Sequence, residues 1–162
     1  MTENPNEAIP KEFENKNKNK NEDENHPRIL AIDPGHKRVG LAISDPLGMF
    51  PVPLETLSVS SKLVSTIAAI CKDYTVKTLL VGLPLHLSGQ ESPSSLMARE
   101  LADALEKETG LPVKLIDERM TSKLAENHLK AQGVRASKSR KKGLVDQLAA
   151  MQILEDYLRT IA

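Results

Sequence analysis

Three acidic positions stand where a folded chain would have reason to hold a carboxylate. Asp33 ends the apolar run Ile29-Leu30-Ala31-Ile32 and is followed by Pro34-Gly35. Such a run predicts a strand entering a core. Pro34 presets the first central position of a turn, and Gly35 tolerates the second. Asp33 is therefore expected at the mouth of a buried strand, on stiff scaffold suited to holding a metal ion; locally it could equally cap the turn. The pair Asp117-Glu118 ends a second run, Val113-Lys114-Leu115-Ile116. Adjacent residues on a strand point to opposite faces, so one acid of the pair is expected to join Asp33. In register, Asp117 would share a face with Leu115 and Val113, whereas Glu118 in the turn is freer to reach sideways; which one serves stays open. Asp146 falls in the first turn of a helix expected from about Gly143 to Arg159. It lies on one stripe with Ala150, Ile153 and Tyr157, so it faces the apolar side. An acid there is costly unless it is paired or binds a cation, although a helix N-terminus also favours a carboxylate. Together these acids suit Mg²⁺ or Mn²⁺, hard cations that take oxygen ligands and assist phosphodiester hydrolysis.

Basic residues cluster next to these acids. Lys130, Arg135, Lys138, Arg140, Lys141 and Lys142 occur with no acid between Asn127 and Val145, and residues 134–142 are expected to form a basic loop beside Asp146. Lys37 and Arg38 follow the Asp33 turn, and Arg119 follows the second acid pair. Phosphate is the natural partner of such groups. The histidines carry less: His26, His36, His86 and His128 have no thiol or paired imidazole near them in sequence, and His36 and His86 are the ones expected to face the site.

The intervening elements must position these groups. Residues 29–45 read as a hairpin. Met49 to Leu57 holds two prolines, which suits an edge strand. Ser60 or Ser61 is expected to cap a helix from Lys62 to Tyr74, with Leu63, Ile67, Ile70, Cys71 and Tyr74 on one face. A strand over 75–82, a helix started by Ser92-Pro93 and stopped by Gly110, the strand ending at Asp117, a helix from Thr121 to Gln132, and the last helix complete the chain. Strands and helices alternating after a hairpin predict an α/β domain with a mixed sheet.

Composition limits the alternatives. The chain has 162 residues, enough for one ordinary domain. Residues 1–27 are rich in Asn, Lys and Glu and are expected to be a disordered polar extension, with residues 28–162 as the folded domain. The extension has seven acids against four Lys, which leaves 18 basic and 15 acidic residues of the 22 of each for the remainder. That mild excess allows a nucleic-acid partner without requiring one. The single Cys71 excludes an internal disulfide and a Cys-rich zinc site. With no apolar run near the ~20 residues needed to span a bilayer, a cytoplasmic protein is expected. Two Phe, two Tyr and no Trp argue against rows of base-stacking aromatics.

Four motifs occur in order: Asp33-Pro34-Gly35-x-Lys37-Arg38-x-Gly40-x-Ala42-x-Ser44-Asp45, Val81-Gly82-Leu83-Pro84, Asp117-Glu118-Arg119-x-Thr121 and Lys142-x-x-x-Asp146. Over residues 28–160 the chain resembles the YqgF (RuvX) family. The resemblance implies a ribonuclease H-like fold: a five-stranded mixed sheet of order 3-2-1-4-5 with helices on both faces. It implies a metal-dependent nuclease linked to 5′-end maturation of the small-subunit ribosomal RNA precursor, or, by an older assignment, Holliday junction resolution. It also implies that Asp33, one of Asp117 and Glu118, and Asp146 ligate metal. In the wider ribonuclease H group the fourth strand often ends in an acid; here Gly82-Leu83-Pro84 stands there, and the second ligand must come from the fifth strand. The expected partner is nucleic acid, either ribosomal RNA precursor or branched DNA, bound by a monomer or weak homodimer. A non-catalytic RNA-binding assembly factor with a relic site is a further alternative. An ATP-binding kinase or chaperone relative would need two such domains, and ~135 residues are too few for them.

Overall fold

The computed structural model describes residues 26–117 and 138–162, with side chains described from Gly143 in the second segment. The expected helix over 121–132, with Glu118, Arg119, Arg135 and most of the polar extension, lies outside the described residues. His26, at the end of that extension, donates its N–H to the Pro46 carbonyl at 2.9 Å.

Strands β1 (Arg28–Pro34) and β2 (Arg38–Ser44) form the predicted hairpin, with Leu30 opposite Ile43 and Asp33 opposite Gly40. The turn between them is tight: a β-carbon on Gly35 would stand 2.5 Å from the Arg38 carbonyl oxygen. The Pro-containing stretch divides into two short edge strands on β2, namely β3 (Pro51–Pro53) and β4 (Leu57–Ser58). Strand β5 (Val76–Leu83) runs parallel to β1, and β6 (Val113–Asp117) runs parallel to β5. The sheet order is β3-β2-β1-β5-β6, with β4 on β2 beside that path. This is the expected 3-2-1-4-5 order with the edge strand split in two.

Three helices are described. Helix α1 (Leu63–Asp73) starts after Lys62, whose side chain makes no cap. The expected serine cap is displaced: Ser60 Oγ accepts from the Lys62 N–H, one position too early to serve a donor inside the helix. Helix α2 (Pro93–Thr109) starts and ends as predicted. Ser92 and Ser95 form a reciprocal capping box, and Gly110 closes the helix at φ 67°. Helix α3 (Lys138–Ile161) begins five residues before Gly143. Lys and Arg have good helix propensity, and one internal glycine costs only about 1 kcal/mol relative to alanine. Thr56 Oγ1 donates to the Gly143 carbonyl at 3.2 Å, a contact that holds this glycine in place.

Strand alternation divides the core between two faces. Leu30, Ile32, Val39, Leu41, Leu79 and Val81 pack with Leu63 and Ile67 of α1 and Ala98, Ala102 and Leu105 of α2. Ile29, Ala31, Ala42 and Leu80 pack with Ala150, Ile153, Leu154 and Leu158 of α3. Burial of a side chain the size of Leu or Ile contributes roughly 1.5–3 kcal/mol, and β1 is buried from Ile29 to Pro34 as β2 is from Val39 to Ser44. Cys71 is in the first of these clusters, and burial pushes its thiol up to about 11. It serves as a core residue. No described helix is long and apolar enough to cross a membrane.

Candidate active site

Asp33 continues the Ile29–Ala31 parity of β1, so its side chain belongs to the α3 face of the sheet. It is 8% exposed, one of three buried polar residues among those described. Opposite it lies Gly40, and on Gly40 lies α3: a β-carbon at residue 40 would sit 2.1 Å from the Asp146 carbonyl oxygen and 3.1 Å from its Cα. Directly opposed antiparallel positions keep their Cβ atoms ~4.5–5.5 Å apart, so the Asp146 Cα falls within roughly 9 Å of the Asp33 Cβ. The bare backbone of Gly40 is what allows this approach. Farther along the helix, Ala149 and Ala150 are fully buried and let α3 lie close to the sheet, as their size predicts.

Asp146 is therefore in the third turn of α3, and the reading of it as a first-turn residue is corrected. The helix dipole acts within the first and last turn, so it does not account for this carboxylate. Arg38 does. Its Nε donates to Asp146 Oδ2 at 3.2 Å, with the two side chains 32% and 24% exposed. Two further contacts pin the same stretch of helix to the edge of the sheet, Thr56 to Gly143 and Gln147 Nε2 to the Leu54 carbonyl at 2.8 Å. Sequence reasoning missed Thr56 and Gln147; neither stands in a pattern that announces such a contact.

The far end of the row is different. Ile32 is level with Val81, and Gly82 is level with Ile116. Asp33, Gly82 and Ile116 thus form one row across the sheet, two strand spacings or about 9.5 Å wide. Gly82 carries no side chain, which leaves the α3 face of β5 open between Asp33 and β6. Asp117 is one residue beyond that row, exposed, and shares its parity with Val113, which packs on the α1 and α2 side. Strand alternation thus turns Asp117 away from Asp33. Among the described residues no three His, Cys, Asp or Glu form a group able to hold a metal ion. The described donors nevertheless fit Mg²⁺ or Mn²⁺: these ions take carboxylate oxygens, and Mg²⁺ commonly uses one or two carboxylates together with substrate phosphate and water.

Of the predicted basic residues, Lys37 is exposed on the β1–β2 turn and Arg38 holds Asp146. Lys138, Arg140, Lys141 and Lys142 occupy the first turns of α3, so the expected basic loop over 134–142 is helical from residue 138. His36 Nε2 is 3.0 Å from Ser94 Oγ, which ties the turn to the start of α2. His86 is exposed in the loop after β5, at the same end of the sheet.

A family model described as "RuvX: Holliday junction resolvase" matches residues 27–160. A Koribacter versatilis (strain Ellin345) protein named "Putative pre-16S rRNA nuclease" is 42% identical over 135 residues, covering 82% of this chain and 87% of the relative. A Thermobifida fusca (strain YX) protein of the same name is 38% identical over 138 residues, covering 81% and 86%. Among solved structures, Thermus thermophilus RuvC in complex with Holliday junction substrate aligns with a TM-score of 0.54 at 15% identity, covering 84% of this chain and 96% of that one. That likeness establishes the fold, which is ribonuclease H-like as the motifs implied.

Proposed function

The chain belongs to the RuvX family, and on that premise we propose that this phosphodiester-cleaving hydrolase is a divalent-metal-dependent nuclease that processes the 5′ end of the 16S ribosomal RNA precursor. One observation carries the site assignment: Asp33 is paired across the hairpin with Gly40, the residue on which the Asp146 backbone rests. Asp33 and Asp146 would hold a Mg²⁺ or Mn²⁺ ion with one acid of the Asp117-Glu118 pair. The alternation along β6 favours Glu118, since Asp117 shares the parity of Val113. When bound, the ion lowers the pKa of a coordinated water and stabilises the leaving oxygen.

The chain's own groups do the rest. Arg38 neutralises and orients Asp146 and stands ready to take a phosphate oxygen in its place, because a guanidinium serves carboxylate and phosphate alike. Lys37 and the Lys138–Lys142 turns of α3 attract the backbone of the strand to be cut. The test is cleavage of a precursor fragment spanning the mature 5′ end by purified protein with Mn²⁺. Wild type should cut and Asp33→Asn should not; equal cutting by both would end the assignment.

A second reading, resolution of four-way DNA junctions, rests on the family model's own description. Symmetric cutting of a junction needs two sites, so it requires a dimer. Parallel assays on a four-way junction and on precursor RNA separate the readings, and a strictly monomeric protein would count against this one.

A further inference from the structure

We propose that the Asp33 turn has a second working side: a pocket that takes one unstacked base of the strand being cut, and that prefers bases carrying an exocyclic amino group. This rests on the nuclease reading of the Asp33 centre. Directly after Asp33, Pro34 and Gly35 wall a cavity of about 250 Å³ on the opposite face of the sheet, completed by Val59, Met97, Glu100 and Leu101. Sites for drug-sized ligands begin at roughly 300 Å³, so this one has room for a single flat ring system. Its walls are apolar except for the Glu100 carboxylate. Met97 supplies a polarisable thioether, which makes favourable contact with aromatic rings.

The surroundings match a nucleotide better than an apolar metabolite. Lys37 is exposed on the turn, and its carbonyl accepts the Val59 N–H at 2.9 Å, which anchors a cation beside the pocket wall. The His36–Ser94 contact joins the same turn to α2, which carries Met97 and Glu100. A phosphate backbone tracking from the Asp33 carboxylate past Lys37 would bring the next base or two over this opening. Single-stranded nucleic acid is read by splayed bases in apolar seats with hydrogen bonds to their edges. A carboxylate accepts only. It can therefore bond the protruding amino groups of adenine, cytosine or guanine, whereas the one donor of uracil and thymine, the ring N3–H, is flanked by two carbonyl oxygens that repel a carboxylate. The turn is closely packed at this wall, since Gly35 has no room for a β-carbon.

The experiment titrates the full chain, labelled at its methionine methyls, with adenosine, cytidine and uridine 5′-monophosphates, and follows Met97 by NMR. The Met97 methyl should shift with AMP and CMP, and binding of UMP should be about tenfold weaker, the size expected when one hydrogen bond to a charged group is impaired. Val59→Phe, at an exposed position that tolerates a larger side chain, should abolish the shift. Glu100→Gln should level the three nucleotides. A Met97 methyl that ignores all three, or that responds unchanged in Val59→Phe, would overturn the proposal. Because no cleavage is read, binding without nuclease activity would uphold the pocket while the function of the Asp33 centre failed. With an active preparation, a single abasic position within two nucleotides of the cut should weaken substrate binding about tenfold, the scale of one stacked base.

Discussion

Asp146 and Asp117 lie on either side of Asp33, and the chain treats them differently. Asp146 is seated on Gly40, paired with Arg38 and flanked by the Thr56 and Gln147 contacts. Asp117 ends an edge strand, exposed and on the other face. The contrast teaches that an acid in a motif becomes a candidate ligand through the backbone that carries it. On the α3 side the scaffold leaves a gap the size of one side chain, at Gly40, and the acid-bearing helix fills it.

The predictions probe that contrast. The largest effect should come from Asp33→Asn, which should cut single-turnover cleavage by on the order of 10²–10³-fold while the far-UV circular dichroism spectrum stays that of wild type. Gly40→Val should come next. Its side chain would meet the Asp146 carbonyl, so α3 must shift, at roughly 1–3 kcal/mol of overpacking and with most of the cleavage lost. Gly110→Ala is the control: φ is positive there and the space is open, so about 1 kcal/mol of stability should go with activity intact.

Two smaller effects sharpen the comparison. Glu118→Gln should reduce cleavage far more than Asp117→Asn, and the reverse order in paired rate measurements would reject the alternation argument. Arg38→Ala should cost under about 1 kcal/mol in urea melts, because the pair is partly exposed, yet it should slow cleavage by loosening Asp146.

The smallest effect lies at the other end of the sheet. The Asp45 carboxylate accepts the N–H groups of Phe50 and Met49, bonds that hold it below its ordinary 3.8. A carboxyl depressed in the folded state stabilises above its unfolded pKa and loses that contribution as pH falls through the folded one. Denaturant midpoints should therefore fall more steeply below pH ~4 for wild type than for Asp45→Asn, with cleavage at neutral pH equal in both.

Much of this architecture was legible because local signals agreed. The hairpin, the Ser92 and Gly110 helix ends and the Asp146–Ala150–Ile153 stripe follow from periodicity and turn chemistry, and the sheet order was implied by the motif resemblance. The start of α3 was not: Gly143 reads as a boundary, whereas the helix runs from Lys138 and Gly143 is interior, bonded there by Thr56, 87 residues away. The Arg38–Asp146 pair joins residues 108 apart and leaves no local trace. Gly40 was visible as part of a motif, but its reason, the approach of a helix backbone, exists only in the folded chain.

The account turns on Asp33 and Asp146 sharing one cation, and anomalous diffraction from Mn²⁺-soaked crystals tests it most directly. It predicts a single strong peak within coordinating distance of both carboxylates, lost in Asp33→Asn. Mn²⁺ bound elsewhere, or touching one of the two alone, would contradict it.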